Sequence, residues 1–162
     1  MRSKKDILEI KKRILQNFAE ERSELKFKDN YQLLVCVMLS AQCTDKRVVR
    51  DFGGVVPLEE AGLKSLAGVG QKTAHVVLLE GAGANVMAVD THVFRVAHRL
   101  GLSRAKTPEL TERDLSEAFK TDLGKLHQGM VLFGRYTCKA IKPNCKECFL
   151  NELCSSKDKN FP

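Results

Sequence analysis

A glycine-rich turn followed by a lysine is the stretch of this sequence best suited to chemistry. Gly68 and Gly70 are separated only by Val69, so the backbone can reverse tightly and its N–H groups can approach a ligand. Lys72 follows in the first turn of a predicted helix, whose unpaired N–H groups favour an anion such as a phosphate. The helix dipole disfavours a positive charge there, and a neutral amine is a nucleophile. The turn therefore predicts an anion anchor beside a nucleophilic amine; the plainer alternative is a surface turn with a solvated lysine.

Two further polar side chains stand at the ends of apolar segments. Asp90 directly precedes a helical pattern that stops at Gly101, which is the position of an N-cap. The same carboxylate, facing a cleft lined by Lys72, could accept or shuttle protons, and the two roles are compatible. Gln42 ends a largely apolar segment, where its amide could probe a base edge or fill a gap in a base stack. The alternative for Gln42 is an ordinary polar helix end.

Four cysteines with metal-ligand spacing lie near the end of the chain. Cys138, Cys145, Cys148 and Cys154 follow the pattern C-x6-C-x2-C-x5-C. In a reduced compartment this set predicts a metal site rather than disulfides. Zinc and an iron-sulfur cluster both accept four thiolates, and the spacing leaves both open. The loop also carries three lysines suited to phosphate contacts, namely Lys139, Lys142 and Lys146.

Composition favours a polyanionic partner. The 162 residues include 27 Lys and Arg against 20 Asp and Glu, which gives a net charge of +7. Most of the basic excess lies at the two ends of the sequence, around a nearly neutral middle, as expected if two lobes grip a nucleic acid. No apolar run approaches the roughly 20 residues of a membrane span, and the N-terminus lacks the pattern of a secretory signal. We therefore expect an intracellular protein that does not partner a membrane.

The elements that position these side chains are all predicted helices. Amphipathic periodicity indicates a helix over about residues 5 to 20, and an apolar pattern indicates a buried helix from Tyr31 to Leu39. Cys36 and Cys43, in or near that helix, are interpreted as small core residues. Later helices are predicted over 58 to 66, from the turn to Gly81, from Asp90 to Gly101, over 109 to 121 and over 124 to 137. The fold class is all-α, with a helix-hairpin-helix at 58–80 around the glycine turn.

Four motifs in this order resemble the endonuclease III family of helix-hairpin-helix DNA glycosylases. They are the sequence Leu39-Ser40-Ala41-Gln42, the hairpin Gly68-Val69-Gly70-Gln71-Lys72-Thr73-Ala74, the segment Ala88-Val89-Asp90-Thr91-His92-Val93-Phe94-Arg95 and the cysteine loop. The resemblance covers nearly the whole chain.

The resemblance implies an activity and a role for each motif. Lys72 matches the lysine that attacks C1′ of a damaged nucleotide and forms a Schiff base, and Asp90 matches the aspartate that assists it. Gln42 matches a residue that enters the space left by the flipped base. The cysteines would hold a 4Fe-4S cluster. The implied protein is a bacterial, cytoplasmic, nucleoid-associated monomer that removes oxidised pyrimidines from duplex DNA and cleaves 3′ to the abasic site by β-elimination.

The sequence departs from this family in the middle of the chain. Family members carry several helices between the positions of Asp45 and Asp51, which here are joined by five residues. We therefore expect a shortened helical barrel lobe at 21–100, and a second lobe made of 1–20 and 101–162 with the cysteine loop. The loss of a DNA wedge from the missing segment would impair base flipping.

Two other functions remain open at this point. A related adenine glycosylase shares the cysteine spacing, but those proteins generally lack a lysine at the position of Lys72. A DNA-binding iron-sulfur module that has lost catalysis would keep the scaffold, the cluster and the basic surface. DNA binding is expected of the active enzyme and of the silent module alike, so only turnover or covalent trapping separates them.

Overall fold

The computed structural model describes residues 2–18, 29, 56–66 and 68–161. Within these ranges the regular elements are helices α1 to α6 and one 3₁₀ helix, and no strand occurs. The helices are α1 Lys4–Phe18, α2 Glu60–Ser65, α3 Gln71–Ala82, α4 Thr91–Arg99, α5 Pro108–Phe119 and α6 Leu123–Tyr136, followed by the 3₁₀ helix Asn151–Leu153. The all-α prediction is therefore confirmed.

The chain divides into two compact units, Met1–Arg22 with Val89–Pro162, and Ser23–Ala88. The sequence prediction placed residues 89–100 with the middle of the chain, whereas this division groups them with the terminal segments. The reason is packing, because α4 lies against α5 and α6.

The first unit is built around α6, the most buried of the described helices. Its Gly129 lies against Ile14 of α1, and its Gly134 lies against His92 of α4. A Cβ added at either glycine would come within 3.0 Å of those side chains, so the absence of a side chain lets the helices approach closely. This core fixes α4, the helix that begins after Asp90.

The second unit contains the helix-hairpin-helix. A cluster of small and branched apolar residues packs α2, the turn and α3 together: Val56, Leu63, Leu66, Val69, Ala74, Val77 and Leu78. α3 ends at Gly83, whose φ of 61° is left-handed and whose N–H donates to the carbonyl of Leu79. The predicted helix boundaries in this segment agree with the structure to within two residues.

Three predictions from the sequence lie outside the described residues: the helix from Tyr31 to Leu39, the core roles of Cys36 and Cys43, and the position of Gln42. In the described part of the chain, no helix combines the length and apolarity needed to cross a bilayer.

Candidate nucleic-acid interface and four-cysteine site

The glycine turn presents two exposed glycines around one buried valine. Gly68 has a φ of 85°, which favours glycine, and the Val69 N–H donates to the carbonyl of Leu66 at 3.1 Å. Val69 is 6% exposed, so its side chain anchors the turn in the core. Gly70 has an extended backbone (φ −89°, ψ 180°), and a Cβ built there meets no atom within 4 Å in the described part of the chain. Neither packing nor backbone strain requires glycine at position 70, and the missing side chain leaves the N-terminus of α3 open.

Lys72 lies in the first turn of α3 with an exposed side chain. Among the described residues, its ammonium makes no hydrogen bond or ion pair, whereas the neighbouring Lys64 is bound by Glu60 at 3.4 Å and by Gln71 at 2.7 Å. The first turn of α3 carries no acidic residue. The amine of Lys72 is therefore available to a ligand that approaches the open end of α3.

A buried histidine braces the two helices of the hairpin. His75 Nε2 lies 3.2 Å from Glu60 Oε2 on α2 and 3.0 Å from Gln71 Nε2, and its Nδ1 lies 3.3 Å from the Met87 carbonyl. The hydrogen bond to His75 lowers the pKa of Glu60, and Lys64 lowers it further. Sequence reasoning missed this network, although the spacing of Gln71 and His75 places them on one face of a helix.

Asp90 caps α4, as the sequence predicted. Its Oδ1 accepts a hydrogen bond from the Val93 N–H at 2.8 Å, and its extended backbone is that of an N-cap residue. The carboxylate is half-buried. Lys72 belongs to the unit Ser23–Ala88 and Asp90 to the other unit; their joint action stays a prediction.

The four cysteines line one cavity of about 30 Å³ in the first unit, with Arg99 among the other lining residues. None of the four forms a disulfide, and each is partly exposed. Burial raises the pKa of the Cys148 thiol, and the three other cysteines raise it further because they lie close to it. Within the described residues, no three His, Cys, Asp or Glu side chains are arranged to hold one metal ion. What the structure brings together is a set of four soft thiol donors around one cavity.

The cysteine loop is held by α4, which sequence reasoning also missed. Arg95 donates to the carbonyls of Cys138 and Gly134, and Arg99 contacts the loop at both ends. Because Arg95 and Arg99 are four residues apart, the sequence already indicated that both side chains lie on one face of the helix. The side chains of the three lysines of the loop remain exposed, and Lys142 has a left-handed φ of 50°.

The similar proteins found by sequence comparison all belong to one family in the examples below. No family model matches the chain. Endonuclease III of Treponema pallidum is 34% identical over 185 residues, covering 83% of this chain and 88% of the relative. Endonuclease III of Escherichia coli is 33% identical over 205 residues, covering 94% and 96%. Because 205 aligned positions exceed the 162 residues of this chain, the relative has segments without a counterpart here. That these segments belong to the helical barrel stays a prediction.

Solved structures agree with the sequence matches. A trapped endonuclease III–DNA covalent intermediate has a TM-score of 0.87 at 30% identity, covering 96% of this chain and 97% of that chain. A non-covalent endonuclease III–DNA complex has a TM-score of 0.86 at 30% identity, covering 96% of each. A thermostable thymine-DNA glycosylase, 21% identical with a TM-score of 0.73, shares the fold. The chain therefore belongs to the endonuclease III family of base-excision-repair DNA glycosylases.

Proposed function

We propose that this protein is a bifunctional DNA glycosylase and abasic-site lyase that acts on oxidised pyrimidines in duplex DNA. The observation that carries the proposal is the exposed side chain of Lys72, whose amine has no partner among the described residues and lies beside the N-terminus of α3. One of the similar structures is described as an endonuclease III–DNA covalent intermediate, and covalent chemistry requires a nucleophile of this kind.

In the proposed reaction, the deprotonated Nζ of Lys72 attacks C1′ of a nucleotide flipped out of the duplex. The new N–C bond forms as the glycosidic bond breaks, and the base leaves with the bonding electron pair. The nitrogen then loses a proton and the C1′–O4′ bond breaks, so the sugar ring opens to a Schiff base and O4′ becomes a hydroxyl. The Schiff base acidifies the C2′ proton, and loss of that proton expels the 3′ phosphate by β-elimination. Asp90 assists the attack and the proton transfers, consistent with the partial burial of its carboxylate at the start of α4.

DNA is gripped in this proposal through its phosphates. The N–H groups of Gly68 and Gly70 bind one phosphate at the N-terminus of α3, where the helix dipole also favours an anion, while the Val69 N–H stays bonded to the Leu66 carbonyl. Val69 shapes the turn from within the core. The three lysines of the cysteine loop, Lys139, Lys142 and Lys146, contribute further phosphate contacts. The proposed role of Gln42 is to fill the space left by the flipped base.

We further propose that Cys138, Cys145, Cys148 and Cys154 hold a 4Fe-4S cluster, which supplies a covalent cross-link that keeps the basic loop rigid. The four thiols around one cavity support this, as does membership of the family. Iron and sulfide analysis of anaerobically purified protein tests the assignment. A colourless protein that contains zinc would overturn it.

A catalytically silent DNA-binding module is the second candidate, favoured by the segments that this chain lacks relative to its relatives. It would bind duplex DNA and hold the cluster without turnover.

The test that separates the two is borohydride trapping on a duplex with one abasic site. We expect a covalent adduct with the wild-type chain and none with Lys72→Gln, because a glutamine amide cannot form a Schiff base. The control is that Lys72→Gln keeps the helix content, metal content and duplex binding of the wild type. No adduct from folded, DNA-binding wild-type protein would refute the lyase and leave the silent module.

A further inference from the structure

Arg99, the last residue of α4, contacts the first part of the cysteine loop through its side chain. Its Nη1 lies 3.5 Å from the Cys138 Sγ and donates to the Lys139 carbonyl at 2.6 Å. Its Nη2 donates to the Ala140 carbonyl at 3.2 Å. One guanidinium therefore donates hydrogen bonds to a thiol sulfur and to the two carbonyls that follow it. The planar, forked guanidinium of an arginine has the geometry for this, whereas the single ammonium of a lysine does not.

The backbone of the same residue contacts the last part of the loop. The Arg99 carbonyl accepts from the Cys154 Sγ at 3.5 Å, and from the N–H and the hydroxyl of Ser155 at 3.3 Å each. The contact from Cys154 needs a thiol proton, whereas the two contacts from Ser155 do not depend on the state of the cysteines. Arg99 thus joins the first cysteine, and the residue that follows the last one, to the end of one helix. It also lines the cavity that all four cysteines share.

The other cationic side chains near the site donate to backbone carbonyls rather than to a cysteine sulfur. The Nε of Arg95 donates to the Cys138 carbonyl at 3.1 Å, and Lys159 donates to the Asn151 carbonyl at 2.8 Å. Among the described residues, Arg99 is the cation that hydrogen-bonds a cysteine sulfur.

We propose that Arg99 is a positioning residue of the four-cysteine site, which holds the first thiolate in place and offsets the negative charge that collects on four thiolates around one metal centre. The proposal rests on the metal assignment made above. Hydrogen bonds and positive charge at a ligating sulfur stabilise the more negative, reduced form of a cluster, so they raise its reduction potential.

The experiment compares Arg99→Gln and Arg99→Lys with the wild type in anaerobically purified, full-length protein. The control is Arg113→Gln, which removes one arginine whose side chain is 74% exposed and is paired with Glu117 on α5. The measurements are the rate of iron loss to a ferrous-iron chelator and the midpoint potential of the cluster.

We expect Arg99→Gln to lose iron severalfold faster and to have a more negative midpoint potential, because the positive charge is gone and the amide of the shorter glutamine side chain does not extend as far as the guanidinium that contacts the sulfur. Arg99→Lys should also lose iron faster, since an ammonium cannot serve the thiol and both carbonyls, while keeping a potential nearer that of the wild type. Arg113→Gln should match the wild type in both measurements.

Three results would overturn the proposal. One is an Arg99→Gln protein that keeps both the wild-type release rate and the wild-type potential. Another is faster iron loss with an unchanged potential, which would make Arg99 a fold-stabilising residue only. If Arg99→Gln does not fold, a wild-type release rate in Arg99→Lys would count equally against it.

A wild-type protein that contains zinc would refute the iron-sulfur assignment without deciding the role of Arg99. Release of zinc to a chelator then decides it: faster release from Arg99→Gln than from the wild type and Arg113→Gln supports the positioning role, and equal rates refute it.

Discussion

At the scale of single residues, Asp90 has a visible structural task and a proposed chemical one. Its Oδ1 caps α4 through the Val93 N–H, and its negative charge also complements the dipole at that helix end. Capping needs a side-chain oxygen, which asparagine also has, whereas proton transfer needs the carboxylate. The two roles can therefore be separated by choice of substitution.

We expect Asp90→Asn to keep the cap and the fold while slowing formation of the trapped adduct by at least about a hundredfold, the low end of what a general acid or base contributes. Asp90→Ala should in addition lower the free energy of unfolding by about 1 kcal/mol, because the cap is lost. Urea unfolding and single-turnover trapping measure the two effects. An Asp90→Asn protein that traps at the wild-type rate would leave Asp90 with the structural task alone.

At the scale of elements, Gly68 and Gly70 of the hairpin differ in what requires a glycine: the backbone requires it at position 68, and we propose that a ligand requires it at position 70. Gly68 has a left-handed φ of 85°, so any other residue is strained there. Gly70 has an ordinary extended conformation, and no atom of the described residues lies within 4 Å of where a Cβ would be. We propose that its lack of a side chain leaves room for a ligand at the N-terminus of α3.

We expect Gly68→Ala to lower the free energy of unfolding by roughly 1–2 kcal/mol, the cost of a left-handed alanine. Gly70→Ala should leave stability unchanged or raise it by about 0.4–1 kcal/mol, since it restricts the unfolded chain. Yet Gly70→Ala should weaken duplex binding severalfold, because a methyl group would stand where the phosphate approaches. Unfolding curves and fluorescence titration with a short duplex measure both properties, and full affinity in Gly70→Ala would contradict the anchoring role.

At the scale of the whole molecule, the charge excess predicts that affinity for duplex DNA depends on salt. A net charge of +7 favours a polyanion at any orientation, but only lysines that contact phosphates release counterions on binding. The lysines of the cysteine loop are exposed, and Arg99 holds the backbone at Lys139 and Ala140, which would reduce the entropy that Lys139 loses on binding a phosphate.

We expect Lys142→Gln to reduce the steepness of the plot of log affinity against log salt concentration by about 0.9, the contribution of one phosphate contact in B-DNA. Lys4→Gln changes the net charge by the same amount at an exposed residue of α1, and it should leave the slope unchanged. Titrations at several salt concentrations provide the comparison. Equal slopes for Lys142→Gln and the wild type would remove Lys142 from the DNA contacts.

Local features of the sequence were enough to predict much of this protein. The helices around the turn, the cap at Asp90 and the set of four cysteines follow from periodicity, capping chemistry and spacing, which act over a few residues. Order and spacing of the motifs were also enough to indicate the family, which the aligned relatives bear out, whereas the shortened middle of the chain stays a prediction.

Only the tertiary structure showed which of these residues are exposed to a ligand and which are fixed by packing or hydrogen bonds. Val69 is buried while Gly70 is open, and the guanidinium of Arg99 reaches a cysteine 39 positions later in the chain. Burial and long-range hydrogen bonds depend on how helices pack, and packing is set jointly by many side chains rather than by the spacing of a few. A sequence pattern therefore predicts which residues are candidates for chemistry, whereas the fold determines which of their side chains are exposed.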